Sequence, residues 1–187
     1  MVQFAPMPPF LATERLRLRR WTESDAPVYR LLWTERDNRS RRRIGMDGRP
    51  TVEDLRANIR SQLAGTEKSG IGLMAVERLV EQDVIGYCGL IPRDEAPGQA
   101  ELAFEFLRQA HGRGFATEAA RAIRDAAAAT GRPKLWAEAR VWNLASRRVL
   151  EKVGFSPAGE IRVDLNRGDT ILMVCRLATA DAAHIDR

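Results

Sequence analysis

The sequence predicts an α/β fold: a mixed, mainly antiparallel twisted sheet with helices on both sides. Three features lead there. Hairpin patterns at 71–90 and 160–177 call for antiparallel strands. Two amphipathic helix patterns fall between the opening strand and the first hairpin. A strand, a glycine-marked turn, a helix and another strand then follow one another from Glu101 to Val141.

Taken in order, Met1 to Ala12 is a Pro-interrupted, extended arm, and Arg15-Leu16-Arg17-Leu18-Arg19 alternates as a strand with one wet face. Thr22 or Ser24 caps a first helix running to about Trp33. Arg36 to Arg49 is a polar connection. Thr51-Val52-Glu53-Asp54 has capping-box character and opens a second helix with Leu55, Ile59 and Leu63 on one face. Ile71–Leu79 and Val84–Leu90 form a hairpin through Glu81-Gln82-Asp83. A turn from Pro92 to Gly98 leads to the strand Glu101–Leu107, and Phe115 to Thr130 is helical. Leu135–Val141 is the next strand. Asn143 then caps a helix whose stripe is Leu144, Val149, Leu150 and Val153, and which Gly154 ends. Glu160–Val163 and Thr170–Leu177 pair across Asn166-Arg167-Gly168. The chain of 187 residues reads as a single domain, 1–187, with the arm at 1–12 and a frayed tail at 178–187.

The net charge of +5 raises the question of nucleic acid. Arginine dominates, with only Lys68, Lys134 and Lys152 as lysines, and the one local cluster, Arg39, Arg41, Arg42 and Arg43, lacks interleaved aromatics. A solvated loop face is the better reading, so nucleic acid is not an expected partner. The first residues do not resemble a signal peptide, and no apolar run nears the roughly 20 residues of a membrane helix. Cys88 and Cys175 sit far apart in apolar strands, and His111 and His184 are isolated, so no metal site is expected. The setting these features imply is cytoplasmic and reducing. A homodimer is an option the sequence leaves open.

The chemistry gathers at Gln109-Ala110-His111-Gly112-Arg113-Gly114-Phe115-Ala116-Thr117. Two glycines between a strand and a helix let backbone approach a ligand closely. The free N–H groups and the dipole of the helix start suit a phosphate. Thr117 adds a hydroxyl and Arg113 a positive charge. A P-loop would need Gly-Lys-Ser/Thr, which is absent. A dinucleotide loop G-x-G-x-x-G/A is filled except at its last position, Thr117, and the acidic residue it wants about 20 residues on falls near Lys134. The pattern Q-x-x-G-x-G is filled completely by Gln109, Gly112 and Gly114. A plain strand-to-helix turn with capping glycines is the bland alternative.

A second motif decides between them. Asn143-x-x-Ser146, followed by Val149-Leu150-Glu151-Lys152-Val153-Gly154-Phe155, resembles the RimJ/RimL-like branch of the GNAT N-acetyltransferase superfamily. With Glu101–Phe104 and Gly112–Ala119 in register upstream, the resemblance runs from about Arg15 to Leu177. It implies a GNAT-type sheet with a central splay between the strands Glu101–Leu107 and Leu135–Val141, and acetyl-CoA as co-substrate between them. The backbone of Phe104 and Phe106 would bond the pantetheine arm. Gln109, Gly112, Arg113, Gly114, Ala116 and Thr117 would surround the pyrophosphate, and Asn143 would reach the cofactor from the other strand.

The implied reaction is direct attack of a primary amine on the thioester, the acceptor being a peptide or protein N-terminus or a small molecule. The amine must lose its proton, so a carboxylate is needed. Glu101, Glu105 and Glu138 are candidates. Glu101 comes first, because it aligns with a strand carboxylate used as base in polyamine-acetylating relatives. Glu105 shares its face unless a bulge intervenes. Many GNAT enzymes protonate the leaving thiolate with a tyrosine whose position here is Leu150. Ser146 is the substitute, or only part of a helix cap. Two other classes compete: a nucleotide-binding oxidoreductase with parallel strands on both sides of the loop, and an acetyl-CoA sensor or ribosome-associated binding module. Arg36, Arg39, Arg41, Arg42 and Arg43 form an expected basic rim at the acceptor entrance, which would disfavour polycationic amines.

Overall fold

The computed structural model describes residues 4–36, 49–93, 98–165 and 168–178. Its strands are β1 (Phe10–Ala12), β2 (Leu16–Arg19), β3 (Leu73–Arg78), β4 (Val84–Pro92), β5 (Ala100–Phe106), β6 (Lys134–Arg140), β7 (Ser156–Arg162) and β8 (Thr170–Arg176). Its helices are α1 (Ala26–Glu35), α2 (Val52–Ser69), α3 (Phe115–Ala129) and α4 (Leu144–Lys152). The strands form one eight-stranded sheet in the order β1-β2-β3-β4-β5-β6-β8-β7. Every pairing is antiparallel except β5 with β6.

Period-two alternation divides the apolar residues between two layers. Leu16, Leu18, Leu90, Leu102, Phe106 and Leu135 face α3 and α4, where they pack with Ala119, Ile123 and Leu150. Ala75 faces the other way, into a layer with Trp21, Tyr29, Leu32, Leu55 and Ile59 around α1 and α2. The helix ends follow their cap residues. Thr22 binds Asp25 through both its N–H and its hydroxyl, closing a short 3-10 turn before α1. At α2 the N–H of Asp54 donates to the Thr51 hydroxyl and the Thr51 N–H donates to the Asp54 carboxylate. The Ser146 N–H donates to Asn143 Oδ1 at 3.1 Å to start α4.

Four details depart from the sequence reading. The N-terminal arm contributes a strand, β1, to the edge of the sheet. The strand β7 begins at Ser156, well before Glu160, because an irregularity in its register between Pro157 and Ile161 absorbs the Pro-Ala-Gly stretch. Leu144 is 54% exposed instead of buried, since it is the first residue of α4 and precedes the turn that meets the core. The third strand starts at Leu73, although Ile71 is buried as the pattern requires. The arginine cluster at 39–43, His184 and the tail from residue 179 lie outside the described residues, as do residues 166 and 167 of the last hairpin turn.

Strands β4 and β5 approach closely at Gly86, where a Cβ would come within 2.3 Å of the Glu105 carbonyl oxygen and 2.9 Å of Phe106 Cα. Both are backbone atoms and cannot swing aside. Gly86→Ala should therefore push β4 off β5 and cost about 2 kcal/mol, read as a lower urea midpoint. An unchanged midpoint would show that the strands separate freely here.

Candidate active site

The pairing pattern leaves a gap in the middle of the sheet. Leu107 donates to Ile85 O and Arg93 to Gln99 O, which fixes the hydrogen-bonded positions along β4 and β5. By that alternation Glu101, Ala103 and Glu105 turn their backbone groups to β4, and Leu102, Phe104 and Phe106 turn theirs toward β6. On the other side, Val141 donates to Asp169 O and Leu177 to Pro133 O, so Trp136, Glu138 and Arg140 present their backbone groups to β5. Yet β5 and β6 pair only at Glu101 with Trp136. Beyond that point the two parallel strands diverge, and the backbone of Phe104 faces an open cleft. At Phe106 the carbonyl is already taken, accepting from His111 Nε2 at 2.9 Å.

The cleft widens toward two helix starts, because both strands run in the same direction into α3 and α4. Gln109 sits exposed in a 3-10 turn, Arg108–Ala110. Gly112 (φ 74°) and Gly114 (φ 81°) adopt the left-handed conformation that bends the loop back into α3. Among the described residues, no hydrogen bond is made by the N–H groups of Gly112, Arg113, Gly114, Phe115, Ala116 and Thr117; the first engaged one is Glu118, to Gly114 O. Six unpaired donors across the loop and the first turn of α3 have the chemistry to receive an anion. Arg113 lies over the Phe115 ring at 5.0 Å. The loop is held from outside by Arg15, which donates to the Arg113 carbonyl at 3.1 Å and pairs with Glu118 at 2.6 Å.

At the narrow end of the cleft, Glu101, Trp136 and Glu138 share the sheet face that carries α1 and α2. Arg93 lies 3.5 Å from Glu101, 3.9 Å from Glu138 and 5.1 Å from the Trp136 ring. Trp136 Nε1 donates to Gln99 Oε1. Burial, and next the field of Glu138, push the Glu101 carboxyl up to about 7, against the pull of Arg93. A carboxyl with that value is half ionised at neutral pH.

Glu105 lies on the same face as Glu101, because the β4–β5 register runs without a shift, so the bulge considered above is absent. Its two oxygens are taken by Arg36, at 2.5 to 2.9 Å. Arg36 is therefore not a free cation of an entrance rim; it closes the end of α1 onto β5. Next to it, the Arg108 N–H donates to Glu35 Oε2 at 2.6 Å and the Arg108 guanidinium to Glu35 O at 2.9 Å. Glu138 is 3.3 Å from Arg162. Ser146 is half-buried, its N–H capped by Asn143, and its hydroxyl makes no hydrogen bond among the described residues. Leu150 is 1% exposed, deep in the core on the α3 side. Cys88 and Cys175 are buried, and burial pushes both thiols up. Among the described residues, no group of three or more His, Cys, Asp or Glu could hold a metal, and no helix is long and apolar enough to cross a membrane.

Sequence reasoning thus placed Glu101, the loop and the open edge of β5, but missed Arg93, Arg15, Trp136 and the Glu35–Arg36 link. Each of these acts across a large sequence separation and belongs to no local motif.

Residues 15–156 match the family described as acetyltransferase (GNAT) domain, and the chain belongs to that family. It is an acetyltransferase. YkkB, an uncharacterized protein of Bacillus subtilis (strain 168), is 32% identical over 155 residues, 81% of this chain and 88% of YkkB. A crystal structure of an acetyltransferase from Agrobacterium tumefaciens str. C58 is 28% identical, with a TM-score of 0.69, covering 89% of this chain and 94% of that one. RimL, the ribosomal L7/L12 alpha-N-protein acetyltransferase, solved in complex with coenzyme A, shares the fold. Its TM-score is 0.73 over 91% of this chain and 97% of its own, at 14% identity. The oxidoreductase reading fails on the sheet: β4–β5 and β6–β8 are antiparallel, where a doubly wound fold needs parallel neighbours.

The raised Glu101 carboxyl has a consequence for stability. A folded value above the unfolded one favours the protonated form, so no penalty exists below about pH 4.5; the cost grows as pH rises and is complete above about 7. Glu101→Gln should match the wild type near pH 4.5 and exceed it at pH 8 by up to about 3 kcal/mol in urea unfolding. A variant less stable at pH 8 would show Glu101 to be held as a structural anion.

Proposed function

We propose that this protein transfers the acetyl group of acetyl-CoA to the α-amine of a peptide or to an uncharged small-molecule amine, as a RimJ/RimL-like enzyme with Glu101 as general base. The observation that carries the proposal is the cleft: an open backbone edge on β5 that runs from the partly buried Glu101 carboxyl to a loop and helix start with six unpaired N–H groups. An amide-rich arm ending in a pyrophosphate has the chemistry to fill both parts. Phe104 supplies a backbone N–H and C=O, Phe106 an N–H, and Gln109, Gly112, Arg113, Gly114, Ala116 and Thr117 the phosphate cradle. Asn143 borders the wide end from the β6 side. RimL, the fold neighbour whose name specifies an alpha-N-protein substrate, was solved with coenzyme A, which agrees with this reading.

Acetyl-CoA supplies an activated acyl group, its thioester; the chain's residues handle protons. A protein α-ammonium titrates near 8, so about a tenth is neutral at pH 7, while a lysine amine near 10.4 is far less available. Glu101, ionised in part at that pH, takes the proton as the amine nitrogen bonds to the acetyl carbon and the carbon–sulfur bond breaks. Arg93 lies 3.5 Å from that carboxylate and is itself stacked over the Trp136 ring. Glu105 is a poorer base, since both its oxygens are occupied by Arg36. The Ser146 hydroxyl, free among the described residues, donates a hydrogen bond to the departing sulfur, whose thiol pKa near 8.5 makes the thiolate a workable leaving group. Leu150 offers no acid.

The test is thiol release from acetyl-CoA with a short neutral peptide across pH. Glu101→Gln should lower kcat/KM about 100-fold at pH 6.5, with the defect shrinking toward pH 9 as the amine deprotonates unaided. A loss equal at every pH would assign Glu101 to positioning. The same profile in Glu105→Gln instead would move the base there.

A further inference from the structure

The carboxylates on the α1/α2 face of the cleft are arranged with unequal access. Glu101, Glu105, Glu138 and Asp164 each lie within 4.0 Å of an arginine. The contacts differ in kind. Arg93 stands 3.5 Å from Glu101, whereas Arg36 makes three hydrogen bonds to Glu105, at 2.5, 2.6 and 2.9 Å. The Arg36 group is built in on several sides. Its guanidinium lies 4.0 Å over the Trp33 ring and 3.4 Å from the Tyr87 hydroxyl, and Tyr87 is the residue opposite Glu105 in the β4 register. Both members of the pair are about one-fifth exposed. An arginine packed in this way is a fixed part of the wall and not a surface charge that can swing aside.

We propose that Arg36 is a specificity-determining residue: by saturating Glu105 it removes a second anionic site from the amine-facing side of β5 and so excludes linear polyamines as acceptors. The inference rests on the acetyl-transfer reading above. Glu101 and Glu105 share a face and are four residues apart, about 13 Å along an extended strand. That is a length a linear polyamine can span with its reacting amine at Glu101. A bare carboxylate at Glu105 would hold the second ammonium; a carboxylate already paired with a guanidinium does not. Such a polyamine then meets an ion pair already closed on itself wherever it reaches for Glu105, with no anion left to replace the hydration of its second ammonium. A peptide or small molecule with one amine and no further positive charge is unaffected.

The experiment compares spermidine with a neutral alanine tripeptide in thiol release from acetyl-CoA, using wild type, Arg36→Gln, Glu105→Gln and the double variant. Arg36→Gln should raise the kcat/KM ratio of spermidine to tripeptide about tenfold, the size expected of one new ion pair near a protein surface. The double variant should return the ratio to near wild type, and high salt should erase the gain. Arg36→Lys, which keeps the charge on a less complete partner, should fall between wild type and Arg36→Gln and preserves the test if Arg36→Gln folds poorly. An unchanged ratio in Arg36→Gln, or an equal rise in the double variant, would overturn the inference. Wild type that releases thiol with neither amine would instead sink the peptide-acceptor reading of the proposed function.

Discussion

The rest of this structure depends on two parallel neighbours, β5 and β6, that are paired at one position and apart everywhere else. A sheet normally satisfies its backbone by pairing, and an unpaired strand edge in a protein interior is costly. Here the edges are kept open by what flanks them. β5 is locked on its other side to β4 over seven consecutive positions, and β6 likewise to β8. The crossover from β5 to β6 runs through α3, whose Ala119, Ala120 and Ile123 belong to the same core as Leu102 and Leu135 of the two strands. His111 satisfies one group of the open edge by bonding the Phe106 carbonyl. The open edge is thus a product of strong pairing around it, not of weak pairing within it.

Charge is used on the periphery of this cleft to fix geometry. Arg15 ties the N-terminal strands to the turn before α3, Glu35 and Arg36 tie α1 to both ends of the Glu105–Arg108 segment, and Arg93 backs the Glu101–Glu138 pair. Farther out, Glu77 joins Arg17 to Arg19, and Arg19 spans Asp25; burial opposes ionisation of both carboxyls, but the hydrogen bonds from Arg19 hold them below their usual range. These arginines therefore serve as struts between elements. This also explains why net charge alone is a poor guide to partners in this chain.

Local patterns in the sequence carried much of the fold. The capping box at Thr51–Asp54, the cap at Asn143, the alternation in β2 and the glycine turn before α3 each act over a few residues, so they are written in consecutive letters. What escaped notice acts at a distance or against local preference. The first residues of β7 read as a turn because Pro157 and Gly159 disfavour a strand, yet β8 recruits them through an irregular register. Leu144 carries an apolar side chain but sits where the helix has not yet met the core. At the site, the loop was legible because its spacing defines it, whereas Glu101 was singled out from Glu105 and Glu138 only by the family resemblance. The state of Glu101 was not legible, since it depends on burial, Glu138 and Arg93, brought together only by the fold. Arg36 looked like one of a run of loop cations, and only its tertiary partner, Glu105, gives it a role.

The most direct test of acetyl-CoA binding along the open edge of β5 is amide hydrogen exchange on 15N-labelled protein with and without acetyl-CoA. Phe104, Phe106 and the amides from Gly112 to Thr117 should slow on addition of the ligand. Ala103 and Glu105, whose groups already face β4, should not change. Equal slowing of odd and even positions along β5 would indicate general stabilisation, and unchanged exchange at Phe104 and in the loop would contradict binding in the cleft.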